Sequence, residues 1–416
     1  MQKEGSGALE RVVIVGAGHA GTAAAMQLRN LGHAGPIDLV SEESEGPYHR
    51  PPLSKAWLLG KTNTAAIAFK SPEFYGENAI TLHLGCRVGS IDRKVHAVQL
   101  ADGRIISYDW LVLAMGSRAR RFPGVAVDGE GEGVHELRTL SQAEALRKAL
   151  RPETRVLIIG AGYIGLEAAA SARARGASVT IMERESRVLA RVASPAISAF
   201  FETHHRGHGV HFRLNSTISA LTPGSARGWA VSFNEGGIEE FDLILVGIGA
   251  QPNQELAVEC GLRCEDGILV DEKTRTSDER ILAIGDCSRR PLPLYQRVGR
   301  LESVANALEQ ARVAAYVIRD RQPPAHEVPW FWSDQYDLKL QIAGLSFDVK
   351  HHIARGDADC SHFAVFHLND ALQLQAVEAV NAAPEFLAGR LLIASRKPVD
   401  PEALADPGKS MKEIAA

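Results

Sequence analysis

Cysteine is scarce in this chain and never paired along the sequence. Five residues, Cys86, Cys260, Cys264, Cys287 and Cys360, are scattered through 416 positions. An odd, dispersed set argues against a disulfide framework, and Cys260 and Cys264 lack the CxxC spacing of a dithiol centre. They read as small buried hydrophobes in a reducing compartment, and the cytoplasm is the expected location. Long apolar runs are also missing. None approaches the roughly 20 residues that cross a bilayer, so no membrane partner is expected. Positive charge is not in excess: the formal net charge is -4, which leaves no footprint for nucleic acid. The opening stretch Met1–Glu10 lacks a signal peptide's apolar core and reads as a short disordered tail. Histidines cluster at His204, His205, His208 and His211 and again at His351 and His352, but in polar surroundings, and no metal is expected. What remains is the composition of a globular protein, 45% hydrophobic and 23% charged, long enough for two or three domains.

The organising stretch is Arg11-Val-Val-Ile-Val-Gly-Ala-Gly-His-Ala-Gly-Thr-Ala-Ala-Ala25. Apolar β-formers run into Gly16, Gly18 and Gly21, and small helix-forming residues follow. The pattern predicts a buried parallel strand, a tight turn and a helix N-terminus. Gly16 permits the turn, Gly18 lets backbone approach a pyrophosphate, and Gly21 lets the helix pack close. A second strand, Ile37–Val40, is followed by Glu42, whose carboxylate could accept from a ribose. The pattern recurs as Arg155-Val-Leu-Ile-Ile-Gly-Ala-Gly-Tyr-Ile-Gly-Leu-Glu-Ala-Ala169, with Gly160, Gly162 and Gly165. Two dinucleotide sites in one chain suggest electron traffic between two dinucleotides. After the second unit, the strand Ser178–Met182 ends on Glu183, and an acid there favours NAD over NADP. Arg184, Arg187 and Arg191 pull the other way, since arginines can hold a 2′-phosphate. Glu167, just inside the second helix, either complements the helix dipole or reaches toward a nicotinamide ribose.

Between these units the spacing predicts a stiff loop, Gly46–Lys55, leading into a helix at Ala56–Leu59. A hairpin comes next, pairing Ile80–Val88 with Val95–Leu100, and Asp102-Gly103 makes a turn. Tyr108–Ser117 reads as a buried strand ending on glycine. Phe122–Gly133 reads as a crossover between domains and Ser141–Leu150 as a helix. Phe241–Gly249 is a further apolar strand broken by Gln251-Pro-Asn253. Ile281–Asp286 carries Asp286 to a strand's carboxyl end, where it either faces a ligand or caps the next segment. From Pro329 the composition changes to short β-like runs, Leu338–Ala343, Asp348–His352, His362–Leu368 and Leu372–Val380, then a small helix at Gly389–Ser395. The fold class expected is α/β, with two Rossmann-like dinucleotide-binding domains and a C-terminal α+β domain. The expected boundaries are 1–120 and 248–327 for the first domain, 121–247 for the second and 328–416 for the last.

Taken together in order, the glycine units, Pro47-Tyr-His-Arg-Pro-Pro-Leu-Ser-Lys55, Val246-Gly-Ile-Gly-Ala-Gln-Pro-Asn253, Ile284-Gly-Asp286 and Pro329-Trp-Phe-Trp-Ser-Asp334 resemble the FAD-dependent ferredoxin and rubredoxin reductases of the putidaredoxin-reductase and dioxygenase-reductase type. One departure is Ala114-Met-Gly116, where that family usually reads Ala-Thr-Gly. The resemblance implies FAD on Gly16, Gly18, Ala20 and Gly21, with Glu42 on its ribose and Lys55 beside its isoalloxazine. It implies Asp286 on the ribityl chain and Arg50, Val88, Arg138 and Val304 near the same cofactor. NADH falls to Gly160, Gly162, Tyr163, Ile164, Gly165 and Gly249, with Glu183 on its ribose and Glu167 near the nicotinamide. Trp330 and Trp332 would border the flavin and the docking face, and Lys55, Glu167 and Trp330 are the residues expected to act in catalysis. The implied partner is a [2Fe-2S] ferredoxin, or a rubredoxin, feeding a cytochrome P450 or Rieske oxygenase. A local basic face from Arg297, Arg300, Arg312 and Lys339 is expected to receive it, on a monomer or weak dimer. The alternatives are an NADH oxidase, which would want a cysteine near the flavin, and a signalling flavoprotein like apoptosis-inducing factor.

Overall fold

The computed structural model describes residues 9–122, 133–224 and 228–415. The expected tail before Leu9 and the interior of the crossover at Phe122–Gly133 lie outside the described residues. The chain forms two compact units, one drawn from Met1–His49, Thr64–Arg118 and Gln251–Pro329, the other from Arg50–Asn63, Ala119–Ala250 and Trp330–Ala416.

In the first unit Val12–Val15 lies at the centre of a five-stranded parallel sheet, flanked by Ile37–Val40 and Trp110–Leu113, with Ile80–His83 and Ile281–Ala283 at the edges. All four of its residues are buried, as a run of β-branched residues covered on both faces should be. Side chains alternate across the sheet. Val12 and Ile14 meet Ala24, Leu28, Ala311 and Ala315 of the helices His19–Asn30 and Val304–Ile318. Val13 and Val15 face a cluster holding Ile91, Val98 and Ile106 from a small antiparallel sheet. Alanines on both helices let them approach closely.

The structure departs from the hairpin expected at Ile80–Val88. Ile80–His83 joins the parallel sheet instead, and Val88–Asp92 starts the antiparallel one with Ala97–Leu100. Periodicity cannot say which neighbour a short strand will choose. The turn at Asp102-Gly103 is present, with Gly103 at φ 90°.

The second unit repeats the parallel sheet, in the order Val210–Arg213, Ser178–Met182, Arg155–Ile159, Leu243–Val246, Val134–His135. Its Leu140–Ala149 helix starts at Thr139 with a reciprocal bond to Gln142. A five-stranded antiparallel sheet from Trp330–Gln335 onward shares this unit. It is covered by a helix at Ala383–Ser395, longer than expected. Asp348–His352 is not a strand; the strand there is His351–Asp357, after a turn that brings Asp348 to φ 54°. The expected helix at Ala56–Leu59 is also absent. Pro51–Ser54 forms a 3-10 turn and 55–60 continue as turns, with Lys55 N and Trp57 N both donating to the Pro52 carbonyl instead of following a regular i to i−4 ladder. Ala250–Pro252 is a short strand rather than a break.

Candidate functional site

Each unit carries a glycine loop at the carboxyl end of its central strand. Gly16 has φ 108°, and a Cβ there would sit 2.2 Å from the Ala114 carbonyl oxygen; a Cβ on Gly21 would sit 1.8 Å from that of Gly16. Gly160, at φ 104°, and Gly165 repeat these constraints against Gly247 and Gly160. Neither loop can carry a side chain at those positions without moving backbone. Gly162 differs. Its φ is -80°, which any residue adopts, and a Cβ there would meet no atom within 4 Å among the described residues. Nothing in the protein demands glycine at that point, so the space fits a ligand backing onto the helix N-terminus.

Around the first loop, Gly285 (φ 75°) brings the segment carrying Asp286 against Ala20. Asp286 Oδ2 accepts from Ser117 Oγ at 3.0 Å. Val304 opens its helix beside the Ser303 cap. Val88 is buried in the cluster that includes Val15 and Val40. Glu42 is exposed, and none of the described hydrogen bonds or ion pairs engages its carboxylate. The Ala-Met-Gly departure is held through backbone, with the Met115 carbonyl accepting from Asn253 Nδ2 at 2.8 Å, so loss of a threonine hydroxyl leaves the segment anchored. Cys287, next to Asp286, is fully buried, and burial pushes its thiol up to about 11. It is no ready thiolate.

Around the second loop, Glu183 Oε2 accepts from Ala161 N at 2.8 Å and Oε1 from Glu185 N at 3.0 Å. The acid expected on a ribose is thus also a clamp on the loop. Arg187 donates to the Ala190 and Ala193 carbonyls and to Ser198 Oγ, and Arg184 pairs with Glu185. Arg191 lies beside Gly249, a guanidinium nitrogen 3.3 Å from where that residue's Cβ would be. The Tyr163 hydroxyl donates to the Val192 carbonyl, and burial raises its pKa. Ile164 is 45% exposed at the helix start, an apolar side chain left bare beside the loop.

A concentrated buried polar arrangement in this unit centres on Glu167. Its carboxylate is buried, with Lys55 Nζ at 2.7 Å and Ser54 Oγ at 2.5 Å on one oxygen and Ser333 Oγ at 2.6 Å on the other. The stiff loop is tied to the same helix by Ser171 Oγ donating to the Ser54 carbonyl at 2.7 Å. Arg50 donates to the Arg138 carbonyl at 2.7 Å. Of the residues singled out in sequence, Lys55 meets Glu167 and Arg50 meets Arg138. Ser333, Gln335 and His205 were missed as site residues. Strand alternation offered a signal: in Trp330–Gln335 the residues Phe331, Ser333 and Gln335 share a face, and the Phe331 ring lies tilted against Tyr163 with centroids 4.2 Å apart. Trp330 and Trp332 share the other face, 5.5 Å apart, with Trp330 also against Phe386.

Two of the four residues of the expected basic face are paired with acids. Arg300 pairs with Glu302 and Asp266, and Arg312 with Glu327 at 2.6 Å. In the histidine cluster, His208 stacks on Tyr336 at 3.9 Å and His205 bonds to Gln335. Among the described residues no helix is long and apolar enough to cross a membrane.

Two family matches divide the chain where its composition changes. The pyridine nucleotide-disulphide oxidoreductase family matches residues 10–311, and the reductase C-terminal family matches residues 330–415. The chain belongs to the pyridine nucleotide-disulphide oxidoreductases. Within that family it is 42% identical over 402 residues to rhodocoxin reductase of Rhodococcus erythropolis, covering 96% of this chain and 93% of the relative. It is 41% identical to putidaredoxin reductase of Pseudomonas putida, covering 98% and 97%. A crystal structure of the covalent putidaredoxin reductase–putidaredoxin complex superposes with a TM-score of 0.94 over 98% of each chain. A water-forming NADH oxidase of Lactobacillus brevis, 20% identical with a TM-score of 0.85, shares the fold. Despite the family's name, all five thiols here are free.

Proposed function

We propose that this chain is an FAD-dependent NADH:ferredoxin reductase, passing single electrons to a [2Fe-2S] ferredoxin that serves a cytochrome P450 or Rieske oxygenase. The observation that carries this reading is the pair of glycine loops, one per unit, together with full-length likeness to reductases of redoxin proteins. FAD, when bound, supplies a centre that accepts a hydride and can release electrons singly. The chain's own groups bind and orient. We assign Gly16, Gly18, Ala20, Gly21, Glu42, Val88, Asp286 and Val304 to FAD in the first unit. Arg50, Lys55, Arg138 and Trp330 are likewise assigned to FAD. Gly160, Gly162, Tyr163, Ile164, Gly165, Glu183 and Gly249 hold the nicotinamide dinucleotide, with Glu167 near its nicotinamide.

NADH is favoured over NADPH because Glu183 stands at the ribose position and Arg187 is already occupied by three acceptors. The domain division proposed is 1–120 with 248–327 for FAD, 121–247 for NAD and 328–416 for the C-terminal domain. Free thiols suit a cytoplasmic location.

Anaerobic titration with NADH and NADPH, followed by a panel of [2Fe-2S] ferredoxins, tests the reading. NADH should bleach the flavin at far lower concentration than NADPH, and at least one ferredoxin should be reduced in many turnovers. Preference for NADPH, or reduction of artificial acceptors alone, would sink it. Arg312→Glu tests the docking face: the ferredoxin rate should fall about tenfold at low salt and recover part of the difference as salt is raised. The ferricyanide rate should hold. An unchanged ferredoxin rate removes Arg312 from the docking face.

A further inference from the structure

Glu167 does not end at Lys55. A chain of buried polar groups leads away from it, and the chemistry of each link forces the next. A carboxylate only accepts, so the one hydroxyl proton of Ser333 goes to Glu167 Oε1 at 2.6 Å. Ser333 Oγ is then left to accept, so Gln335 must turn its amide nitrogen toward it, at 3.1 Å. That places the Gln335 amide oxygen, which cannot donate, 2.8 Å from His205 Nε2. His205 must therefore carry its proton on Nε2. Ser333 and His205 are 0% exposed and Gln335 1%. Burial lowers the His205 pKa to about 4, so the ring is neutral at pH 7 and holds a single proton, as the chain requires. All donors point toward Glu167.

We infer that Ser333, Gln335 and His205 are positioning residues, a one-directional hydrogen-bond chain that fixes the Glu167 carboxylate against Lys55. The inference rests on the reading that places Glu167 near the nicotinamide. A merely structural polar core would hold the strand Trp330–Gln335 to its helix and leave the reaction indifferent to the direction of the bonds. A positioning chain controls where the carboxylate and the Lys55 ammonium lie, and displacement of such groups by about 1 Å can cost up to ~100-fold in rate.

The test uses the FAD-loaded enzyme, with the rate of flavin reduction at saturating NADH, the Kd for NADH, the reduction potential of bound FAD measured without NADH, and the melting temperature. Ser333→Ala should slow flavin reduction about tenfold while Kd stays within about twofold, and should move the potential. Ser333→Thr, which keeps the donor, should restore most of the rate. Gln335→Met and then His205→Phe should give progressively smaller losses. If Ser333→Ala fails to fold, Gln335→Met carries the same comparison, since it keeps the Ser333–Glu167 bond and removes only the donor behind it. A lower melting temperature with rate and potential unchanged would overturn the inference. Glu167→Gln separates the two layers. If it slows reduction and the chain variants do not, only the chain falls; if it leaves reduction unchanged, the assignment of Glu167 near the nicotinamide falls and the chain with it.

Discussion

The two glycine loops have nearly the same backbone and quite different side-chain duties. Gly16 and Gly160 both adopt φ near 105° in contact with a neighbouring strand's carbonyl, and Gly21 and Gly165 both pack on the turn before them. Their acids diverge. Glu42 is exposed and unengaged among the described residues, whereas Glu183 clamps its own loop through Ala161 N. Two residues past the third glycine, the first helix has Ala23 and the second has Glu167. The first helix is thereby free to lie against the alanine face of Val304–Ile318. The second is committed to a buried charge that needs Lys55, Ser54 and Ser333 around it. Backbone geometry thus marks where a pyrophosphate can bind, while the groups around it decide which dinucleotide and for what purpose.

The most damaging way to break the symmetry is Gly16→Ala. Its Cβ would overlap the Ala114 carbonyl at positive φ, and a loss of more than about 3 kcal/mol is expected. Recovery of little folded, flavin-loaded protein would show it. Glu309→Gln comes next. It attacks the helix that braces the first loop, where Glu309 accepts from Arg290 at 3.0 Å and His326 at 2.9 Å. Burial alone would raise its pKa, but hydrogen bonds from His326 and Arg290 outweigh that and hold it at about 2, below the ordinary 4.5.

A carboxylate whose folded pKa is depressed contributes stability above its unfolded value and loses it as pH falls toward the folded one. Urea unfolding of the parent should therefore weaken from pH 5 toward pH 2. Glu309→Gln should cost about 3 kcal/mol at pH 7 by leaving Arg290 unpaired, and should flatten that acid dependence. An unaltered slope would assign the acid sensitivity elsewhere.

Gly162→Ala is milder and more selective. With open space at the Cβ position, stability should change by less than about 1 kcal/mol, while NADH binds about tenfold more weakly because the methyl occupies the pyrophosphate approach. Unchanged NADH binding would mean that the open space is not the cofactor's.

The smallest effects come from the two acids. Glu183→Gln should cost about 1 kcal/mol through its loop bonds. Glu42→Gln should leave stability within about 0.5 kcal/mol and loosen FAD by a few fold. Equal stability losses from the pair would erase the distinction drawn between them.

The glycine spacing, the apolar strands before it and the apolar β-like run His362–Leu368 were legible in the chain itself, because φ > 0 and strand burial are local demands. Strand partnership was not. Ile80–His83 reads as readily as half of a hairpin as it does as a sheet edge, and only the space beside Ile37–Val40 decides. The same holds at the site. Sequence pointed to Lys55 and Glu167 separately, but nothing local says that they meet at 2.7 Å. Nor does anything local say that Ser333, 166 residues away from Glu167, completes the carboxylate's shell. By itself the sequence determined two strand–glycine-turn–helix units and the absence of a paired dithiol, since both depend on residue type and short spacing. The tertiary structure decided which acid stays free, which arginines are already occupied and how Glu167 is held, because a buried charge must find donors wherever the fold brings them.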